Sequence, residues 1–120
     1  MSNELLTEDD GFGRIEVVPD ILLTIAERTT IANPAIIQLA DPPSAESRRH
    51  SRRLRKHGIL LTMDENRVIF DIYAIMDGNV NLMEASRKLQ TALIDSVAEM
   101  IGVTVNAVNV HIEDVAYPEV

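Results

Sequence analysis

Asn81 to Gly102, NLMEASRKLQTALIDSVAEMIG, is the stretch whose reading decides the fold. It carries helix signals at both ends. Asn81 suits an N-cap, because its side-chain oxygen can accept a bond from one of the first orphan amides, and Glu84 three residues later completes a capping-box pattern. Leu82, Ala85, Leu89, Leu93, Val97 and Met100 recur at spacings of three and four, so they share one stripe, with Ala92 and Ile101 at its margin. Glu84, Arg87, Lys88, Thr91, Asp95 and Glu99 fall largely on the other side. Gly102 can adopt the left-handed conformation that ends a helix, with Val103 folding back on Ala98. At about 1.5 Å per residue the rod is roughly 30 Å long, the width of a small domain. A one-sided rod of that length needs a sheet to lie on.

The flanking segments supply the sheet. Upstream, Gly58 to Met63 and Arg67 to Met76 read as two strands of a hairpin, joined by Asp64-Glu65-Asn66 with its turn chemistry. In the second of these strands Val68, Phe70, Ile72, Ala74 and Met76 share one face. The other face carries Ile69, Asp71, Tyr73 and Ile75, which is too apolar to be simply solvated, so something covers it or it meets another chain. Asp77-Gly78-Asn79 turns the chain into the helix. Downstream, Val105 to Val115 reads as a closing strand, with Val108, Val110 and Ile112 inward and Asn109, His111 and Glu113 outward.

Toward the N-terminus, Arg14 to Val17 reads as a short strand and Pro19 to Thr30 as a helix of about three turns, opened by proline and Asp20. Asn33-Pro34 stops it, and Ala35 to Leu39 forms another strand. The order β-α-β-β-β-α-β predicts a single small two-layer α+β domain, with a mixed sheet and two helices packed on one face. Residues 1–12 read as a flexible acidic tail, 13–116 as the domain and 117–120 as a short tail. Residues 41–57 read as an exposed Arg-rich connector, which Ser44 could cap if it were partly helical.

Composition bounds the function. With 120 residues and 46% hydrophobic content the chain can build one real core, and 3% aromatics makes that core aliphatic. There is no cysteine, which excludes disulfides, thiolate metal sites and thiol nucleophiles. No secretory signal pattern opens the sequence and no apolar run reaches the ~18 residues of a membrane span, so the expectation is a cytoplasmic protein, peripheral to a membrane if it works at one. The net charge of −8 argues against general nucleic-acid affinity. Six of the eleven basic residues (Arg48, Arg49, Arg52, Arg53, Arg55 and Lys56) sit in one window without an acid. The remainder, five basic against nineteen acidic residues, stands at −14. The protein is an acidic body with one basic segment.

That segment is a candidate for binding an anionic surface: phospholipid headgroups, nucleic acid, or an acidic patch on a partner or a second copy. Each basic residue near an anionic membrane is worth about 1 kcal/mol. A solvated loop, partly neutralised by the acidic body, is the alternative. No aromatics interleave the arginines, so stacking on single-stranded bases has no support. The sheet face around Ile69, Tyr73 and Ile75 is a candidate protein interface. His111 and Glu113 share a strand face, and His50 and His57 lie in the connector, but a metal site needs three or four converging ligands. Asp71, with Asp64 and Asp77, suggests paired carboxylates only weakly, since the latter two have turn neighbours. No serine has a nucleophile-elbow setting, and no glycine loop would cradle phosphate. Gln90 is suited either to a hydrogen bond with a neighbouring strand or subunit, or to plain solvent exposure. The residues point to no catalysis, cofactor, metal or small-molecule substrate.

From about Gly13 to Val115 the chain resembles the bacterial alkaline-shock and general-stress proteins, the cell envelope stress response family found mainly in Gram-positive bacteria. The resemblance rests on VIFDIYAIM from Val68, then Gly78, the helix around Gln90, Met100 and Gly102 at its end, and the Val108-Asn109-Val110 strand. Gly13-x-Ile15 and Ile25-Ala26 agree with it. Asn33-Pro34-Ala35-Ile36 stands where the family usually has a Gly-Val pair, and Asp77 where it has a tyrosine. The resemblance implies a non-enzymatic role as a scaffold or adaptor at the inner face of the envelope, with self-association into a homo-oligomer and recruitment by a membrane-anchored partner. It assigns no role to the arginines. A nucleic-acid-binding or regulatory module working through Arg48 to Lys56 is the alternative expectation.

Overall fold

The computed structural model describes residues 6–41, 52–64 and 67–119, without the side chains of Arg52 and Arg53. Its elements run β1 (Thr7–Asp9), β2 (Arg14–Glu16), α1 (Asp20–Ile31), β3 (Ile36–Leu39), β4 (Arg52–Lys56), β5 (Ile59–Asp64), β6 (Arg67–Asp77), α2 (Leu82–Ile101) and β7 (Ala107–Ala116). This is the α+β domain that the sequence implies, with two strands more than the pattern showed.

The first addition is β1, which lies inside the expected tail of residues 1–12. It pairs antiparallel with β2, from Thr7 opposite Glu16 to Asp9 opposite Arg14. The anchor is Leu6. Its side chain is buried in the core, and its carbonyl accepts the Val17 amide at 2.7 Å. Fixing that residue brings the next three alongside β2.

The second is β4, within the expected connector of residues 41–57. It pairs antiparallel with β5 from Arg52 opposite Met63 to Lys56 opposite Ile59. The turn between them is His57-Gly58, with φ of 53° and 91°. Two consecutive positive φ values are what a tight hairpin turn requires to match strand twist. Position 58 also needs glycine because a Cβ there would strike the Ala40 carbonyl. Leu54, the one apolar residue of the strand, packs against the core. The rest of the connector (including Ser44, Arg48, Arg49 and His50), residues 1–5, the 65–66 turn and Val120 lie outside the described residues.

β6 is the spine of the main sheet. Along one edge, β5 pairs with its first half, from Asp64 opposite Arg67 to Ile59 opposite Ile72. β3 continues that same edge, pairing with Ala74 to Met76. The junction is Tyr73, whose amide donates to the Gly58 carbonyl at 2.9 Å and whose carbonyl accepts from the Ala40 amide at 2.8 Å. β7 runs parallel along the other edge, from Ala107 opposite Ile69 to Ala116 opposite Asp77. Between Ala74 and Ile75 the register shifts and Glu113 is left over, a β-bulge.

Both helices lie on one face. Val68, Phe70 and Ile72 of β6 meet Leu22, Leu23, Ile25 and Ala26 of α1 and Leu89, Leu93 and Val97 of α2 in one core. Ala74 and Met76 form a smaller cluster with Ala35, against which Leu82 and Ala85 pack. Each fully buried Leu, Ile, Val or Phe contributes about 1.5–3 kcal/mol. The caps of α2 are those its sequence announces. Asn81 Oδ1 accepts the Glu84 amide at 2.9 Å, and Gly102, left-handed at φ 79°, donates its amide to the Ala98 carbonyl. The stripe departs from expectation at Met100, which is 69% exposed. Asn33 uses both ends of its amide. Oδ1 accepts the Ala35 amide at 2.9 Å and Nδ2 donates to the Ala85 carbonyl at 3.3 Å, fixing the turn after α1 to α2.

Candidate functional site

Two surfaces answer to the residues singled out by sequence, and a third stands apart from them. Of the basic segment, Arg48 and Arg49 lie outside the described residues, and Arg52 and Arg53 are placed only by register, opposite Met63 and Thr62. Arg55 is exposed, opposite Leu60. Lys56, one residue on, points to the other face of the strand. Its Nζ donates to Thr24 Oγ1 of α1 at 3.1 Å and lies 3.9 Å from Glu27 Oε1. His57 Nδ1 is paired with the other oxygen of Glu27. The segment therefore divides: Lys56 ties strand to helix, and Arg55 faces solvent.

The outer sheet face carries Ile69 and Ile75 half-buried and Tyr73 only 9% exposed. The parallel register sets Asn109 opposite Asp71 and His111 opposite Tyr73. As a result the Tyr73 and His111 rings stack, with centroids 4.3 Å apart and planes 7° from parallel. Asp71 Oδ1 lies 2.9 Å from His111 Nε2 and accepts from Asn109 Nδ2 at 3.1 Å. Leu60, opposite Asp71, is buried. The polar groups here satisfy one another. Asp64 instead pairs with Arg67 at 3.6 Å, and Asp77 accepts the Asn79 amide at 2.9 Å. Asp71 and Asp77 sit on one strand six residues apart, roughly 20 Å. His111 has Asp71 beside it, while Glu113 stands at the bulge. No group of three or more His, Asp or Glu side chains converges among the described residues. Gln90 takes the first of its two expected roles, donating to the Val108 carbonyl at 2.9 Å.

The third surface was not read from the sequence. The β1–β2 hairpin stands off from the start of α1 and the end of α2, and encloses an open cleft of about 920 Å³. Leu6 and Ile25 are buried beneath it. Ile15, Val18, Ile21 and Met100 line it and are exposed, and Phe12 at the hairpin tip is 97% exposed. Among the described residues its charged lining is Glu8 and Glu16, with no basic residue. Arg14, on the hairpin, is spent on Glu16 at 2.8 Å. The last turn of α2, which opens on the cleft, also lacks a basic residue, so the negative end of the helix dipole is uncompensated there. The sequence signal was Phe12 itself, a lone aromatic between Gly11 and Gly13. Ile15, Ile21 and Met100 looked like ordinary members of inward-facing patterns, and no local pattern says that a hairpin will stand away from its helices.

Among the described residues no helix is long and apolar enough to cross a membrane. No curated protein and no solved structure matches the chain. A family model does, over residues 7–117, so that the match takes in both strands of the standing hairpin, the β6–α2–β7 unit and Tyr117. On this match the chain belongs to the alkaline shock protein 23 family, the alkaline shock and general stress proteins, a family of cell envelope-related function.

Proposed function

We propose that this protein is a non-enzymatic scaffold or adaptor at the cytoplasmic face of the cell envelope, working through self-association and a membrane-anchored partner. The observation that carries the reading is where the apolar surface lies. Ile15, Val18, Ile21 and Met100 are exposed together around one cleft, the kind of patch that marks a protein interaction site. The polar groups at the sheet point the same way. Asp71, Asn109 and His111 bond to one another, and Gln90 and Asn33 bond to backbone. They hold the fold, which supports binding over chemistry. Arg55, with the other arginines of its segment, adds electrostatic attachment to an anionic surface.

The test is the position of a fluorescent fusion in the native cell. Arg48, Arg49, Arg52, Arg53 and Arg55 are changed to glutamine, and Lys56 is kept because it reaches Thr24. A peripheral ring is expected for the parent. Its survival in the neutralised variant assigns docking to the apolar surface; its loss assigns attachment to the arginines. A nucleoid pattern dispersed by neutralisation would overturn the proposal in favour of nucleic-acid binding.

A further inference from the structure

The cleft under the β1–β2 hairpin has the chemistry of a particular occupant. Its floor is apolar and built from three separate elements: the hairpin, the start of α1 and the end of α2. Its rim is negative for two independent reasons. Glu8 and Glu16 line it, with Asp9, Asp20 and Glu99 exposed next to lining residues, and Arg14, beside Ile15, is paired with Glu16. The C-terminus of α2 adds a partial negative charge that no basic residue in its last turn offsets. An apolar trough with such a rim fits a helix that carries apolar residues on one side and lysine or arginine beside them.

A small ligand fits less well. Sites for small molecules have precisely placed donors and acceptors that fix orientation. Here the lining offers carboxylates at the rim, and the apolar lip of Ile15, Val18, Ile21 and Met100 extends outward. A second copy of this chain would bring its own acidic hairpin, with Glu8, Asp9, Asp10 and Glu16, to an acidic rim. Like charges so placed oppose that docking.

We propose that the cleft between the β1–β2 hairpin and the ends of α1 and α2 binds a basic amphipathic helix of a partner protein, with its apolar stripe over Ile21 and Met100 and its cations against Glu8, Glu16 and the α2 terminus. The proposal rests on the adaptor reading and names the chemistry of the partner. It makes Met100 the residue to change. Met100→Lys removes apolar surface and adds a positive charge, yet at an exposed helix end it compensates the dipole, so the variant folds at least as well as the parent. Glu8→Lys, at an exposed hairpin position, reverses rim charge without touching the floor.

The probe is a fluorescently labelled, end-capped helix of about 18 residues, with leucine on one stripe and lysine on its flanks. Its counterpart carries glutamate in place of lysine. Anisotropy at low and physiological salt is read for the full chain and both variants. The expected result is saturable binding of the lysine helix, weaker by at least about tenfold for the glutamate helix, for Met100→Lys and for Glu8→Lys, and weakened by salt. Equal binding of both helices, binding indifferent to Met100→Lys, or no binding at low salt would overturn the proposal. So would a sedimentation measurement in which the chain alone dimerises and Met100→Lys dissolves the dimer, which would give the cleft to a second copy. Tighter binding of a long-chain alkylammonium than of the helix would give it to a small amphiphile. The experiment is separable from the localisation test: a peripheral ring with no helix binding defeats this assignment alone.

Discussion

The ring of Tyr117 lies against Gly78 so closely that a Cβ on residue 78 would sit 2.5 Å from both Cε1 and Cζ. The backbone clamps the pair, with the Gly78 amide donating to the Ala116 carbonyl at 2.7 Å. Gly78→Ala therefore forces the ring aside. Because Tyr117 is exposed and can swing outward, the cost is at the low end of overpacking, about 1 kcal/mol. Urea unfolding of Gly78→Ala should show that loss, and the same change in a Tyr117→Ala background should show little of it. An equal loss in both backgrounds would place the cause in the backbone.

Thr30 offers the opposite sign. Its Oγ1 is buried, with no hydrogen-bond partner among the described residues. Valine has nearly the same shape and no hydroxyl to desolvate. Thr30→Val is expected to raise stability by about 1 kcal/mol, read as a higher thermal midpoint. A lowered midpoint would mean that the hydroxyl is satisfied in solution.

Adjacent residues of β4 should separate stability from surface charge. Lys56→Ala loses the bond to Thr24 Oγ1 and the neighbourhood of Glu27, at a cost of roughly 0.5–1 kcal/mol. Arg55→Ala, at an exposed position, should stay within about 0.5 kcal/mol of the parent. Denaturation curves of the two variants side by side check the contrast, and matching losses would contradict it.

Asp71 should behave as one member of a unit. One of its oxygens serves both Asn109 and His111, so Asp71→Ala leaves two donors without their acceptor. The expected cost is about 1–2 kcal/mol. His111→Ala made in that background should add less than it does alone, because the shared interaction is already gone. Strict additivity in a double-mutant cycle would show that the contacts do not couple.

Legibility followed sequence distance. The caps of α2 at Asn81 and Gly102 and the alternation from Val68 to Met76 are local patterns, and they survive into the structure. β4 was hidden because Arg52 to Lys56 has one apolar residue and becomes a strand only through the ladder that β5 offers. β1 was hidden for the same reason, since it depends on Leu6 finding the core. The cluster of Asp71, Asn109 and His111 spans residues 38 and 40 positions apart and exists only in the parallel register. Of the candidate interface, Tyr73 is buried against His111 and Ile69 and Ile75 are half-buried, while Ile15, Val18, Ile21 and Met100 are exposed along the cleft. Periodicity assigns a residue to a face; it does not say where a neighbouring element stops covering that face.

β6 touches β3, β5 and β7, and β4 reaches it through β5. The register of the whole main sheet is thus inherited from one strand. A slip of one residue along β6 would turn Phe70 and Ile72 away from the helices and spoil three pairings at once. Partial errors have no low-energy resting place, so misregistered intermediates are disfavoured together and the sheet and its two helices should be lost in one cooperative step. The β1–β2 hairpin is a separate sheet tied in through Leu6 and Val17, so its opening would break none of the main-sheet pairings and can precede that step.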